Sequence, residues 1–363
     1  MSNFKVAKEN FRILVINPGS TSTRVSIFHN ETEVFHSTYT HTLDELKPFK
    51  RIADQAEFRL KFVMDFLLES GTTPQKLNAV IGRGGLLRPL EGGVYRVGES
   101  MLDDLFSGRY GEHSSNLGAI LAWEFARRTG CAAYIADPVV VDEMDEIARF
   151  SGISEIKRRS IFHALNQKSV AREVAGKLGR HYEDCNFIIA HMGGGISVGA
   201  HRKGRVVDVN NALDGDGPFS PERAGGLPSG DLIRMCFSGK YTLEDMLHKI
   251  SGGGGLVAYR GSNSFRELKE AAASGDSYAQ LLYEACAYRV SQEICKHGAT
   301  LKGEVDRIIL TGGMATDETF VSMIRERISH LAEVEVIPGE REMVSLASAA
   351  LRVLRGEEKP KEY

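Results

Sequence analysis

The chain has 363 residues, 45 basic against 48 acidic side chains and a net charge of −3, with 42% hydrophobic and 26% charged residues. That is ordinary globular composition with core enough for two domains. It excludes a polycationic nucleic-acid binder, so any bound anion must be met by local geometry. No apolar run approaches the roughly 18 residues of a membrane span, so no membrane partner is expected. Five scattered cysteines without a CxxC pair fit reduced thiols and no zinc site. Residues 1–11 lack the apolar core and cleavage site of a secretory signal, and a cytoplasmic setting is expected.

Residues 11–17 (FRILVIN) and 24–28 (RVSIF) read as buried strands with a polar loop between them, and 33–40 as a third. Helical spacing over 54–69 stops at Gly71. A strand at 78–82 leads into Arg83-Gly84-Gly85, a helix is predicted over 115–128, and a strand at 132–136 ends at Asp137-Pro138. The second half repeats the theme. The strand 186–190 delivers His191-Met192-Gly193-Gly194-Gly195, ISVGAH and RVVDV supply two more strands, and 305–311 delivers Gly312-Gly313. The glycines at 252–255 read as a turn inside the second domain, and the tail 357–363 as frayed. Glycine-rich turns after strands in both halves imply two related domains facing one cleft, related in pattern and not as a sequence repeat.

The loop at 17–24 has neither a Walker signature nor GxGxxG before a helix; a strand follows it. An anion there would meet the hydroxyls and N–H groups of a hairpin. Asn17, Ser20 and Ser22 offer polar groups, Gly19 allows close approach, and Arg24 offers a cation. One such turn is ordinary. Three, each after a buried strand, favour a nucleotide cleft.

VINPGSTSTR, HMGGGIS and LTGGMA resemble the phosphate 1, phosphate 2 and adenosine motifs of the acetate and sugar kinase, heat-shock chaperone and actin superfamily. Across residues 11–355 the chain resembles the acetokinase family. GRGGLLRPLEGGVY and AHMGGGISVGAH are closer to its butyrate-using branch than to its acetate-using one. The resemblance implies an α/β fold of two ribonuclease H-like (actin-like ATPase) domains around a central nucleotide cleft. One would comprise residues 1–143 with 343–363 returning, the other 144–342. It implies transfer of the γ-phosphoryl group of ATP to butyrate, giving butyryl phosphate and ADP reversibly, with Mg²⁺ and a homo-oligomer. Acetate, propionate or isobutyrate as acceptor, a sugar kinase and an actin-like or chaperone-like ATPase are the alternatives.

The same resemblance carries site roles. Arg83 would hold the carboxylate or the transferring group, as a planar fork of donors suits either oxyanion. Asp137 would lie near the metal, and His163 would donate to phosphoryl oxygens. His113 matches another cleft histidine, though a structural role suits it equally. His191, Gly193, Gly194, Gly195, Gly312 and Gly313 would line the nucleotide site with Asn17, Ser20, Ser22 and Arg24. Ser264, Phe265 and Arg266 match the segment against adenine and ribose, and also read as a helix start. Glu342, with Glu340 as rival, would serve the metal beside Asn17; either also suits a helix cap. Lys157-Arg158-Arg159 reads as a solvated face. Two departures stand out. Pro228 occupies the place of the family arginine before Ser229-Gly230-Asp231, leaving Arg223 as substitute, and Gly194 replaces an asparagine.

Overall fold

The computed structural model describes residues 10–363, so the reading of the N-terminus as no secretory signal falls mostly on residues outside the described ones. The chain divides into two compact units. One runs up to Val140 and is completed by Arg341–Tyr363; the other is Val141–Glu340.

The first unit is built on a six-stranded sheet. Its strands are β1 (Arg12–Pro18), β2 (Ser22–His29), β3 (Thr32–Thr40), β4 (Ala79–Arg83), β5 (Val94–Arg96) and β6 (Ala132–Ala136), in the order β3-β2-β1-β4-β6-β5. β1 to β3 form an antiparallel meander, β4 and β6 run parallel to β1, and β5 is an antiparallel edge. Ile13, Leu14, Val15 and Ile16 are all fully buried because helices cover both faces, which is why β1 reads as a continuous apolar run. Leu14 and Ile16 pack with Leu60, Val63 and Phe66 of the helix Ala56–Glu69 and with Leu117, Ile120 and Leu121 of the helix Asn116–Thr129. Each such side chain contributes about 1.5–3 kcal/mol of burial. The helix Glu342–Leu354 packs on β1, β4 and β6 and contributes nothing to that cluster, so it covers the other face.

The second unit repeats this order with β7 (Asn186–Met192), β8 (Ile196–Arg202), β9 (Arg205–Val209), β10 (Arg307–Gly312) and β11 (Val334–Pro338), arranged β11-β10-β7-β8-β9. Ile188 and Leu310 face the long helix Ser277–Thr300. Phe187, Ile189 and Ile309 face the helix Ala164–Lys177. The residues 252–255 form a turn within this unit, as expected.

Two expectations fail. The tail is not frayed: Lys361 exchanges backbone hydrogen bonds with Val94 and Arg96 (2.8 and 2.9 Å), and the Tyr363 hydroxyl donates to Asp104 (2.7 Å). The tail thereby extends the β5 edge, a pairing between distant segments that local composition does not show. Arg158 is also not solvated. It is largely buried and donates to Asp208 and Asp216 at 2.8 and 3.0 Å, while Arg159 stays exposed beside Asp214. The acidic partners lie some fifty residues away, so the basic run in isolation suggests a surface.

Candidate functional site

The hydroxyl-rich hairpin of the first unit turns between β1 and β2, closed by the Gly19 N–H on the Ser22 carbonyl (2.8 Å). Arg59, fully buried on the helix Ala56–Glu69, sits behind it. Its Nη1 donates to the carbonyls of Gly19 (2.8 Å) and Ser22 (2.6 Å), and its Nη2 to that of Ser20 (2.9 Å). The His41 N–H holds the Thr21 carbonyl at 2.8 Å. In a planar trans peptide the N–H points opposite to the preceding carbonyl. With carbonyls 19, 20 and 21 drawn inward, the N–H groups of Ser20, Thr21 and Ser22 face the other way, as a row of donors suited to an anion. Burial pushes Arg59 down to about 10, which leaves it charged at neutral pH.

Beside this hairpin, the end of β1 meets the start of the helix Glu342–Leu354. Asn17 Nδ2 donates to Glu342 Oε2 (2.5 Å), and Arg83 Nη2, at the end of β4, lies 3.0 Å from Glu342 Oε1. Glu342 is the first residue of its helix and does not cap it. Asn17 Oδ1 is buried without a hydrogen-bond partner. An orphaned amide oxygen beside a carboxylate suits a hard cation that keeps most of its waters, as Mg²⁺ does. No cluster of three or more His, Cys, Asp or Glu side chains able to hold a metal occurs among the described residues. Arg83 and Glu342 thus form an ion pair between the end of β4 and the start of this helix.

Other predicted residues of this unit stand differently. Arg24 lies across from Asn17 on β2, half exposed, with Glu33 at 3.9 Å. Asp137 is buried in a left-handed conformation (φ 38°), its Oδ1 accepting the Gly93 N–H at 2.7 Å. His113 is exposed, and its Nδ1 accepts the Ser115 N–H (3.2 Å) in the turn before the helix Asn116–Thr129.

In the second unit, His163 stacks on His191, with ring centroids 3.9 Å apart and planes at 12°. His191 lies on β7, and Gly193, Gly194 and Gly195 turn the chain into β8. At Gly195 a Cβ would stand 2.3 Å from Arg223 Nη1, so any side chain there would require that guanidinium to move. Arg223 is held behind that loop, donating to the Ala212 carbonyl, and burial lowers its pKa. Pro228 precedes the exposed helix Ser229–Cys236, where Asp231 pairs with Arg234 at 2.8 Å.

A pocket of about 480 Å³ opens in this unit beside Gly193, Gly194 and Gly313, within the range of small-ligand sites. Phe265 and Arg266 line it; Ser264 instead caps the helix Phe265–Ala273. Phe265 packs against Tyr283 and Phe320 at 5.4 and 4.8 Å. Gly312 ends β10 with φ 90°. Glu340 also lines the pocket and belongs to this unit, whereas Glu342 belongs to the other, which separates the two rivals. Sequence reasoning missed Arg59, Lys269 and Asp317. Lys269 and Asp317 line the pocket and pair at 2.9 Å, and Tyr283 donates to Asp317 at 2.8 Å. Burial raises the Asp317 pKa, but the hydrogen bonds from Lys269 and Tyr283 outweigh it and leave it lowered. Arg59 had one available signal, a cation on the apolar stripe of an amphipathic helix.

Comparison with known proteins meets this geometry. The acetokinase family profile matches residues 152–348. Butyrate kinase 2 of Clostridium acetobutylicum is 53% identical over 353 residues, covering 97% of this chain and 99% of that protein. Among solved structures, acetate kinase of Porphyromonas gingivalis superposes with a TM-score of 0.79 at 16% identity, over 95% of this chain and 100% of that one. A propionate kinase of Francisella tularensis gives 0.72 at 18%, over 93% and 98%. The two structures establish the fold, and an identity of 53% over almost the whole length establishes the kinship: the chain belongs to the acetokinase family.

Proposed function

We propose that the chain is a butyrate kinase, transferring the γ-phosphoryl group of ATP to the butyrate carboxylate. The observation that carries this reading is Arg83, a cation at the end of β4 that pairs with Glu342 at 3.0 Å beside the donor-rich hairpin and would take the acid's carboxylate in the same fork. The 53% identity to Butyrate kinase 2 supports it and favours a four-carbon acid.

The reaction forms a bond between a carboxylate oxygen and the γ-phosphorus and breaks the bridging bond to the β-phosphate, releasing ADP. The acceptor is already ionised, so no proton has to be removed, and positioning and charge neutralisation carry the catalysis. Arg83 orients the acid. The N–H groups of Ser20, Thr21 and Ser22, with Asn17 and Arg24, receive phosphate charge. His163 donates to the transferring group, and His191 supports it from the stack. Asn17 and Glu342 would hold Mg²⁺, with Asp137 near its waters; the ion supplies charge neutralisation on the phosphates. Phe265, Arg266 and Gly313 take the adenosine, and Arg223 steadies the backbone of the second glycine loop. We assign one ATPase-type domain to each unit. A sugar kinase would need a base within reach of a hydroxyl. Asp137, its candidate, has its Oδ1 taken up by the Gly93 N–H at 2.7 Å, which weakens it as a base and counts against that reading. A cytoplasmic homo-oligomer completes the proposal, checked by light scattering of the purified protein.

The test is Mg²⁺- and ATP-dependent acyl phosphate formation, trapped with hydroxylamine, across formate, acetate, propionate, butyrate, isobutyrate and glucose. A maximum at four carbons is expected. One methylene is worth about 1–3 kcal/mol, so neighbouring acids should react more slowly and not be excluded. ATP turnover with glucose and no hydroxamate from any acid would overturn the proposal.

A further inference from the structure

The stacked His163 is joined at its back to a buried chain of polar side chains. Its Nδ1 lies 2.9 Å from Ser197 Oγ. Gln167 Nε2 donates to Ser197 Oγ (2.9 Å) and to the Ser197 carbonyl (3.0 Å). Gln167 Oε1 lies 2.9 Å from His201 Nε2, and His201 Nδ1 lies 2.7 Å from the Tyr182 hydroxyl. Gln167, Ser197 and His201 are all fully buried. Ser197, Gly199 and His201 share one face of β8 by alternation. Gly199 keeps the place of its missing side chain for Gln167 Oε1, which would stand 2.8 Å from a Cβ there.

The donors and acceptors of this chain admit one arrangement. A carbonyl only accepts, so the contact with the Ser197 carbonyl fixes Gln167 with its NH₂ toward Ser197. Its Oε1 then faces His201 and must accept from Nε2–H. That leaves His201 Nδ1 to accept from the Tyr182 hydroxyl, and burial, the largest influence, holds His201 neutral by lowering its pKa well below the usual value. Ser197 Oγ receives the Gln167 NH₂ and, at 3.4 Å, the His163 backbone N–H. Both are donors, so the single hydroxyl proton of Ser197 has one acceptor, His163 Nδ1. A proton on Nδ1 would face that hydroxyl proton and strand it.

We propose that Ser197 and Gln167 are positioning residues that lock His163 in its Nε2–H tautomer. The lock presents a fixed donor on the side of the ring away from Ser197. Its catalytic meaning rests on the reading of His163 as donor to the transferring phosphoryl group; the lock itself does not.

Ring-¹⁵N-histidine labelling of the full chain tests it, with His163→Asn identifying the signals of one ring among eleven histidines. At neutral pH, His163 should show a pyridine-type Nδ1 and a pyrrole-type Nε2. The inverse pattern, or two pyrrole-type nitrogens, overturns the proposal without any variant of the network. In Ser197→Ala the Nδ1 signal should shift toward the average of two exchanging tautomers, and Ser197→Thr, which keeps the hydroxyl, should restore it. An unchanged His163 pattern in a folded Ser197→Ala protein also overturns it. If the alanine variant does not fold, the wild-type pattern alone decides. Acyl phosphate formation by the wild-type protein reads the function separately, so either conclusion can fail without the other.

Discussion

Removing the Arg59 guanidinium should cripple the hairpin from behind. In Arg59→Met the Gly19 and Ser20 carbonyls lose their donor, while the Ser22 carbonyl keeps the Gly19 N–H and Thr21 keeps His41. For these two carbonyls alone, charge-assisted hydrogen bonds at about 1.5–3 kcal/mol each amount to about 3–6 kcal/mol, and the buried Gln55 Oε1, which also accepts from Arg59, loses its donors as well. Part of this returns, because the substitution also removes a buried cation whose desolvation is visible in its lowered pKa. A net loss of about 2–4 kcal/mol is expected, lowering the Tm of the first unit by about 5–15 °C. The N–H groups of Ser20, Thr21 and Ser22 would then no longer be pre-aligned, so the KM for ATP should rise more than that for the acid. Calorimetry and nucleotide-titrated hydroxamate assays on Arg59→Met and Arg59→Lys measure both. The lysine keeps the charge and loses the fork, and should recover little of the ATP affinity. An unchanged Tm would refute the burial argument. A lower Tm with an unaltered KM for ATP would show that Arg59 holds the hairpin without shaping an anion site.

Arg83→Ala should lower kcat/KM for the acid by about 10–100-fold, the worth of one charge-assisted contact, with little change in the KM for ATP; a larger effect on ATP than on the acid would sink the carboxylate assignment. Glu342→Gln keeps an acceptor for Asn17 but removes the charge beside its orphaned oxygen, so the Mg²⁺ concentration for half-maximal rate should rise; an unshifted Mg²⁺ titration argues the ion is held elsewhere. His297 is fully buried, donates Nε2–H to the Val198 carbonyl at 3.0 Å, and is held down to about 4 by burial. Its folded pKa lies below the unfolded one, so the unfolded chain takes the proton first. Stability is therefore present above pH 6.5 and lost toward pH 4, by about 3 kcal/mol in total. His297→Gln should flatten the fall of Tm over that range, and an identical slope in the variant would count against this account.

The buried strands read at 11–17 and 186–190, and the helical stripes read at 54–69 and 115–128, were legible because burial on both faces or on one stripe leaves a local period in the sequence. The hairpin of Ser20, Thr21 and Ser22 and the glycines at 193–195 were legible too, since backbone approach and hydroxyl donors demand particular residues at consecutive positions. What no local pattern carries is which distant atom stands opposite. Glu342 meets Asn17 across 325 positions, and this contact, not spacing, separates it from Glu340. Arg59 reads as one charge too many on an apolar stripe until the helix docks behind the hairpin and four loop carbonyls are shared between it and His41. The tail reads as polar and frayed until β5 offers it an unpaired edge. Arg158 reads as solvated until Asp208 and Asp216 fold against it. Even the proton on His163 depends on a carbonyl of β8 orienting a glutamine of the neighbouring helix. Sequence alone thus determined the elements, their turns and the kinds of chemistry present, because those follow from residue type and short spacing. Tertiary structure decided the pairings, because a hydrogen bond or ion pair depends on where two distant backbones bring their atoms together.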